Sequence, residues 1–268
     1  NNTYGYYLKN NCNYNTLTEN ISSNNLDGFT LAHALTGDDF TLSGYNNLTS
    51  NTSSYNTNYG FKIYGNSQLD VSYNVLRNNL SEYNAIGIYG SAFRYIDLIN
   101  NRVLNNTGAG ISLNSMSNLN LNNNYIYNNN GSGLSLTGVS SSKFLMNEVD
   151  SNTQYALNIS GSGSGNIFTN NNFIAGAVNT DSLVFNSVNS SVTFTNNYLG
   201  LTDSAALAGK INGTYSNQIQ WQPFRFEKID ITIGADTIAP ATPANLSYDI
   251  SSGSVVLSWT KLPSPNLC

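Results

Sequence analysis

Charge is scarce in this chain. Of 268 residues only 9% are Asp, Glu, Lys or Arg, where a soluble domain carries about 25%. Ten Lys and Arg against fifteen Asp and Glu give a net charge of −5 with no basic cluster. Nucleic acid is therefore excluded as an expected partner, because a phosphate backbone needs a basic patch. Soft ligands are nearly missing too. One histidine (His33), two methionines (Met116 and Met146) and two cysteines (Cys12 and Cys268) are too few and too scattered for a copper-type centre. No stretch approaches ~18 consecutive apolar residues, so no membrane span is expected. A hydrophobic leader is lacking, and the chain reads as mature. Cys12 and Cys268 should sit near opposite ends of the molecule. The expectation is a buried, incidental Cys12 and an unpaired Cys268, with a head-to-tail bridge between molecules as the other reading.

Asparagine takes up the room, with 48 residues, alongside 22 Gly and 18 Tyr. A pattern of the form Gly-hydrophobic-x-hydrophobic recurs at Gly5, Gly28, Gly60, Ala85, Gly110, Gly133, Ala156 and Ser182, at intervals of 23, 32, 25, 25, 23, 23 and 26 residues. A period of this size marks a repeat architecture, in which one short unit cannot bury its apolar face until neighbours stack on it. Inside each unit the alternation has period two, the spacing of a strand. Phe61 and Ile63 face one way, Lys62 and Tyr64 the other. A second short strand follows at Leu69-Asp70-Val71, Ile96-Asp97-Leu98 and Leu119-Asn120-Leu121. After it comes an Asn, at 74, 101, 124, 147, 172 and 197. Asn tolerates left-handed backbone and suits tight corners, and stacked Asn side chains can form amide ladders. Short strands wound coil upon coil make a parallel β-helix. Eight coils at one strand spacing each give a rod of roughly 40 Å.

The repeats Asn101 to Leu113 and Asn118 to Leu136 resemble those of the right-handed parallel β-helix superfamily with pectate-lyase-like repeats, of the bacterial or archaeal surface type. The resemblance implies an all-β fold over residues 1–200, a right-handed parallel β-helix of about eight coils. It implies no particular activity, since that fold hosts lyases, hydrolases, epimerases, adhesins and inert spacers. Residues 201–235 are expected to cap the C-terminal end, which is otherwise an open sheet edge. There Asp203 or Thr202 would begin a short helix through Ala205 to Leu207, Gly209 would stop it, and Trp221, Phe224 and Phe226 would add apolar bulk. No similar cover is evident at the other end. A Pro-rich linker spans 236–245. Residues 246–268 resemble the first strands of a fibronectin type III domain with Trp259 as its core tryptophan; that sandwich needs seven strands, so it is incomplete here.

Two groups invite chemistry. Asp38 and Asp39 follow His33 in the unit whose interval stretches to 32 residues. They read as a weak hard-cation site, for which calcium is the one cofactor to consider and otherwise none is expected, as an acid/base pair with His33 as base, or as a solvated loop. Lys62, Tyr64, Asp70, Tyr89, Arg94 and Asp97 form the second group. Counting from the repeat, Tyr64 falls in register with Tyr89 and Asp70 stacks on Asp97, with Arg94 beside the carboxylates. In-register tyrosines near charges read as a sugar-stacking face, or as cross-coil packing. The resemblance would bring catalytic elements of known β-helix enzymes, and these are largely missing. Asp38-Asp39 alone matches the polygalacturonase-like set, an Asp-Pro-His element is absent, and Asp70, Asp97 and Arg94 only imitate a pectate-lyase-like calcium site.

The expected function is a non-catalytic module of an extracellular or cell-surface protein: a rigid stalk, adhesin or lattice element, with other surface proteins as partners. The alternative is a carbohydrate-binding or polysaccharide-cleaving β-helix. Self-association end to end is a further reading. Eleven Asn-x-Ser/Thr sequences would be glycosylation sites in a host that modifies asparagine.

Overall fold

The structure is a computed structural model describing residues 2–9, 11–32, 44–65, 72–176 and 182–232, and the backbone alone of 70–71, 244–251 and 254–260. The chain divides into two compact units, Asn1–Ile233 and Gly234–Cys268.

The first unit is a parallel β-solenoid of about eight coils. Each coil contributes one strand to each of up to three sheets. Among the described residues the first sheet has nine strands, running from Tyr4–Lys9 through Asp27–Ala32, Tyr59–Tyr64, Ile86–Ser91 and Ile111–Asn114 to Ile211–Asn212. The second also has nine, from Thr16–Thr18 to Ile219–Gln220, and the third has seven, from Ile21–Ser23 to Asn172–Phe173. Every pairing within these sheets is parallel, so like positions of successive coils stack. Phe29, Phe61, Ile88, Ile111, Leu134, Leu157 and Val184 form one buried column. Leu48, Leu76, Leu98, Leu121, Phe144 and Phe168 form another, in which the Phe144 and Phe168 rings stack at 4.2 Å.

The corners divide labour between consecutive residues. At most of them one residue takes a left-handed φ and points outward, and the next is an Asn that points in; after Tyr95, Asn118 and Ser141 the inward residue is Ile96, Leu119 or Ser142 instead. Asn100 has φ 54° and Asn101 is buried; Asn123 has φ 57° and Asn124 is buried. This explains the many Asn-Asn doublets. It also corrects the expectation that one Asn does both jobs. Three inward ladders result. Asn15, Asn46 and Asn74 form a short one. Asn20, Asn51, Asn79, Asn101, Asn124, Asn147, Asn171 and Asn197 form a continuous one, each Oδ1 accepting from the backbone N–H of the Asn before it. Asn25, Asn56, Asn84, Asn106, Asn129 and Asn152 form the third. The expected single series mixed these. Asn74 belongs to the short ladder, and Asn171 rather than Asn172 continues the long one. Buried amide hydrogen bonds contribute about 1 kcal/mol each, and more is lost when a partner is orphaned.

Glycine holds a column of its own beside the third ladder. A Cβ on Gly60 would lie 2.6 Å from the Gly87 carbonyl oxygen and 2.7 Å from Asn84 Nδ2. This column sets the true phase of the repeat. Gly87, not Ala85, stacks on Gly60, because Ile88 pairs with Phe61 and Ile86 with Tyr59. The intervals are therefore 27 and 23 residues where the sequence pattern suggested 25 and 25. A two-residue slip keeps every side chain on its own face, so alternation alone cannot detect it.

After the last full coils a five-residue helix, Ser204–Ala208, starts at Asp203, whose carboxylate accepts from the N–H groups of Ala205 and Ala206, and ends at Gly209. Its Leu207 is fully buried, and Trp221 and Phe224 pack on the core. The chain then runs along the third sheet. Asn172 exchanges two hydrogen bonds with the backbone of Ile229 (2.7 and 2.8 Å), and Lys228 reaches Glu148 at 2.7 Å. Cys12 carries a half-buried free thiol that donates to the Lys9 carbonyl; Cys268 lies outside the described residues. In the second unit Ala244–Ser251 and Ser254–Thr260 pair as an antiparallel hairpin. No described helix is long and apolar enough to cross a membrane.

Candidate functional site

The outer face of the first sheet changes character along the rod. In the strands between Ile111 and Ser160 its outward positions are small and polar, Ser112, Asn114, Ser135, Thr137, Asn158 and Ser160, before Phe185 takes the place in the next strand. In the first four strands they carry Tyr4, Tyr7, Asp27, Thr30, Tyr59, Lys62, Tyr64 and Tyr89. Lys62 is the centre of this cluster. Its Nζ lies 3.0 Å from Asp27 Oδ2, 4.8 Å from the Tyr59 ring centre and 5.0 Å from that of Tyr64. The tyrosines supply a negative π face to the ammonium on two sides. Asp27 sits one coil above Tyr59, its side chain 2% exposed. Lys62 supplies the ion partner that offsets the burial of this carboxylate.

Two polar atoms here have no hydrogen-bond partner, Asp27 Oδ1 and Thr30 Oγ1, both buried. Burial raises the Tyr7 phenol well above its ordinary range, and a hydrogen bond with Tyr64 and the nearby Tyr4 push it further. Burial, then Tyr89, also raises Tyr59, against the opposing pull of Lys62. Both phenols therefore stay protonated at neutral pH. They can donate hydrogen bonds and offer apolar ring surface, but they are poor general bases. Two-carboxylate sugar hydrolysis needs a second acid about 5–9.5 Å from the first. Among the described first-sheet strands Asp27 is the one carboxylate. No described group of three His, Cys, Asp or Glu is arranged for a metal.

The six residues singled out from the sequence fall into two places. Lys62, Tyr64 and Tyr89 share the first-sheet face. Tyr89 pairs with Lys62, and Tyr64 with Ser91, so the two tyrosines are not in register as expected. The ring nearest Tyr89 is Tyr59, at 4.7 Å. Arg94 and Asp97 lie around the next corner. Asp97 stacks between Val75 and Asn120, while the Asp70 strand pairs with Phe93–Arg94, so Asp70 and Asp97 are not neighbours. The coil containing Asp70 has ten residues between its first- and second-sheet strands, where the next has five; that extra length shifted the count. Asp38 and Asp39, like His33, lie outside the described residues. Asp27, Tyr59 and Tyr4 were missed. Their signal was the position just before the coil glycine, where Tyr4, Asp27 and Tyr59 align.

Residues 42–173 and 81–218 match the family described as right-handed beta helix region. The chain belongs to the right-handed β-helix family. Among solved structures it is similar to the A-module of the Azotobacter vinelandii mannuronan C-5 epimerase AlgE6, with 16% identity and a TM-score of 0.45. That match covers 78% of this β-helix chain and 58% of the epimerase module. None of the curated proteins matches.

Proposed function

We propose that this β-helix is a rigid, non-catalytic module of a multidomain extracellular or surface protein, serving as stalk, adhesin or lattice element. The observation that carries this is the internal amide ladder, continuous from Asn20 to Asn197, which ties each coil to the next along the rod. The state of the tyrosine-rich face agrees with it: its carboxylate is held by Lys62 and the Tyr7 phenol keeps its proton more tightly than usual. In this reading the helix at Ser204–Ala208 with Trp221 and Phe224 closes the C-terminal end of the sheets, and the Ala244–Thr260 hairpin begins a fibronectin type III-like domain. The test is incubation with a panel of neutral and uronate polysaccharides, with and without calcium, following unsaturated products and new reducing ends. No turnover is expected. Turnover that Lys62→Met abolishes would overturn the reading.

A second reading, carbohydrate binding, is favoured by the five tyrosines around Lys62. Half-exposed rings beside an ammonium suit a hydroxyl-rich ligand. Glycan binding that is weakened by Tyr59→Ala and Tyr89→Ala would support it.

A further inference from the structure

A separate aromatic feature runs along the corner that precedes the second sheet. Tyr14, Tyr45, Tyr73 and Tyr95 occupy the same position in four successive coils. Their ring centres are 5.0, 5.1 and 4.9 Å apart and successive planes lie within 10–24° of each other. All four have left-handed backbone, with φ of 60°, 57°, 44° and 55°. A bulky side chain is strained in that region. The same column continues as Asn118, Ser141 and Gly165, types that enter it more readily or pack less. Yet these rings are not hidden: their exposures are 76, 51, 43 and 39%. A strained, solvent-facing row of large aromatics points to recognition.

The geometry restricts what fits. Each inner ring gives both faces to its neighbours, so the row presents ring edges and phenol hydroxyls, about 15 Å long and one side chain wide. Single-stranded nucleic acid needs open faces for its bases and a basic groove. An extended peptide repeats every ~6.4–6.8 Å on one side and loses step with a 5 Å row at once, and a polyproline helix, repeating every ~9.3 Å, meets only every second ring and leaves those between unmatched. A protein partner, including a second copy, needs about 800 Å² per side for a stable interface, far more than four ring edges supply. A single polysaccharide chain is narrow enough. In an extended β-1,4-linked form it advances one sugar over about the distance of one coil, with hydroxyls directed sideways toward the phenols. The corner residues flanking the first three tyrosines (Asn13 and Asn15, Gly44 and Asn46, Ser72 and Asn74) are uncharged, which suits a neutral polymer. Arg94 stands at the last one.

We propose that the Tyr14–Tyr45–Tyr73–Tyr95 row is a docking track for a neutral, extended β-1,4-linked polysaccharide lying parallel to the rod, one sugar per coil. The track is distinct from the Lys62 face and does not depend on it.

The whole chain is titrated calorimetrically with cello-, manno- and chitohexaose, and with maltohexaose as a coiled α-1,4-linked comparator. The key variant is Tyr45→Asn/Tyr73→Asn, because asparagine already fills this column at Asn118 and keeps the left-handed corner; an unchanged melting curve confirms that it folds. At least one extended hexaose is expected to bind more tightly than maltohexaose. That binding should fall tenfold or more in the double variant and persist in Tyr89→Ala. Absence of binding by all three extended hexaoses overturns the proposal, as does binding that the double variant leaves unchanged. Binding lost only in Tyr89→Ala moves the site to the first-sheet face. Concentration-dependent dimers that the double variant dissolves assign the row to a second copy instead. None of these results touches the non-catalytic reading, which only turnover of a glycan would overturn.

Discussion

Asn124→Ala tests the ladder at its middle. The Asn124 amide donates to the Leu98 carbonyl at 2.8 Å and to Asn147 Oδ1 at 2.9 Å, and its Oδ1 accepts from Asn101 N and Nδ2, both at 3.0 Å. Alanine removes all four bonds. Asn147 Oδ1 keeps the Asn124 backbone N–H as a donor. Asn101 N–H and one Asn101 amide hydrogen are left without that acceptor in a corner where Asn101 is 1% exposed. Four net bonds at about 1 kcal/mol, with the orphaned donors at the upper end of the range, give a loss of about 3–6 kcal/mol. This is a large part of an ordinary 5–15 kcal/mol folding free energy. The neighbouring Asn123→Ala is the control. It loses one half-buried bond to Asn100 and an αL preference, about 1 kcal/mol. Guanidinium unfolding followed by far-UV circular dichroism gives both numbers. If Asn124→Ala costs under about 1 kcal/mol, or no more than Asn123→Ala, the ladder is not what locks the coils.

The glycine column makes a paired prediction. Gly60→Ala forces backbone and ladder atoms apart and should lower the melting temperature by several degrees, whereas Gly90→Ala meets only the flexible ends of Met116 and Leu113 and should be near neutral. Phe144→Ala removes a fully buried ring stacked on Phe168 and should cost about 3–5 kcal/mol in the same unfolding assay. Lys62→Met leaves the buried Asp27 carboxyl without its ion partner, an expected loss of about 3 kcal/mol; adding Asp27→Asn should recover most of it, and a double-mutant cycle without recovery would deny the pairing. Tyr7, Tyr59 and Tyr125 all hold their protons more tightly in the folded chain, mainly through burial. For Lys228 burial pulls the other way, but Glu148 more than offsets it and its pKa is raised as well. Raised folded values mean stability that is complete below the unfolded value and declines as pH climbs past it. Denaturant midpoints should therefore be level up to about pH 10 and drop above it; a rise there contradicts the raised values of these groups.

How legible this was differs by element. Phe61 with Ile63 and Leu134 with Leu136 announced inward strand faces through alternation, and Asp203 with Gly209 announced the start and stop of the helix Ser204–Ala208. The candidate face was half legible. Lys62, Tyr64 and Tyr89 were found, but Tyr64 was matched to Tyr89 and Asp70 to Asp97 because the coils differ in length and alternation is blind to a two-residue slip. Asp27, the ion partner of Lys62, is 35 residues away in sequence, and the tyrosines of the corner row are separated by corners of unequal length. Nothing local marks such groups as neighbours.

The sequence by itself determined the kind of object this is. A period near one coil, period-two strands, glycine where backbones meet and asparagine at the corners allow only stacked parallel coils, since each unit must bury its apolar face on the next. Tertiary structure alone decided the phase of that stacking. Register is chosen by where glycine admits a carbonyl and where one amide meets the next, contacts between coils more than twenty residues apart. It therefore also decided which lysine faces which carboxylate, and which tyrosines form a row.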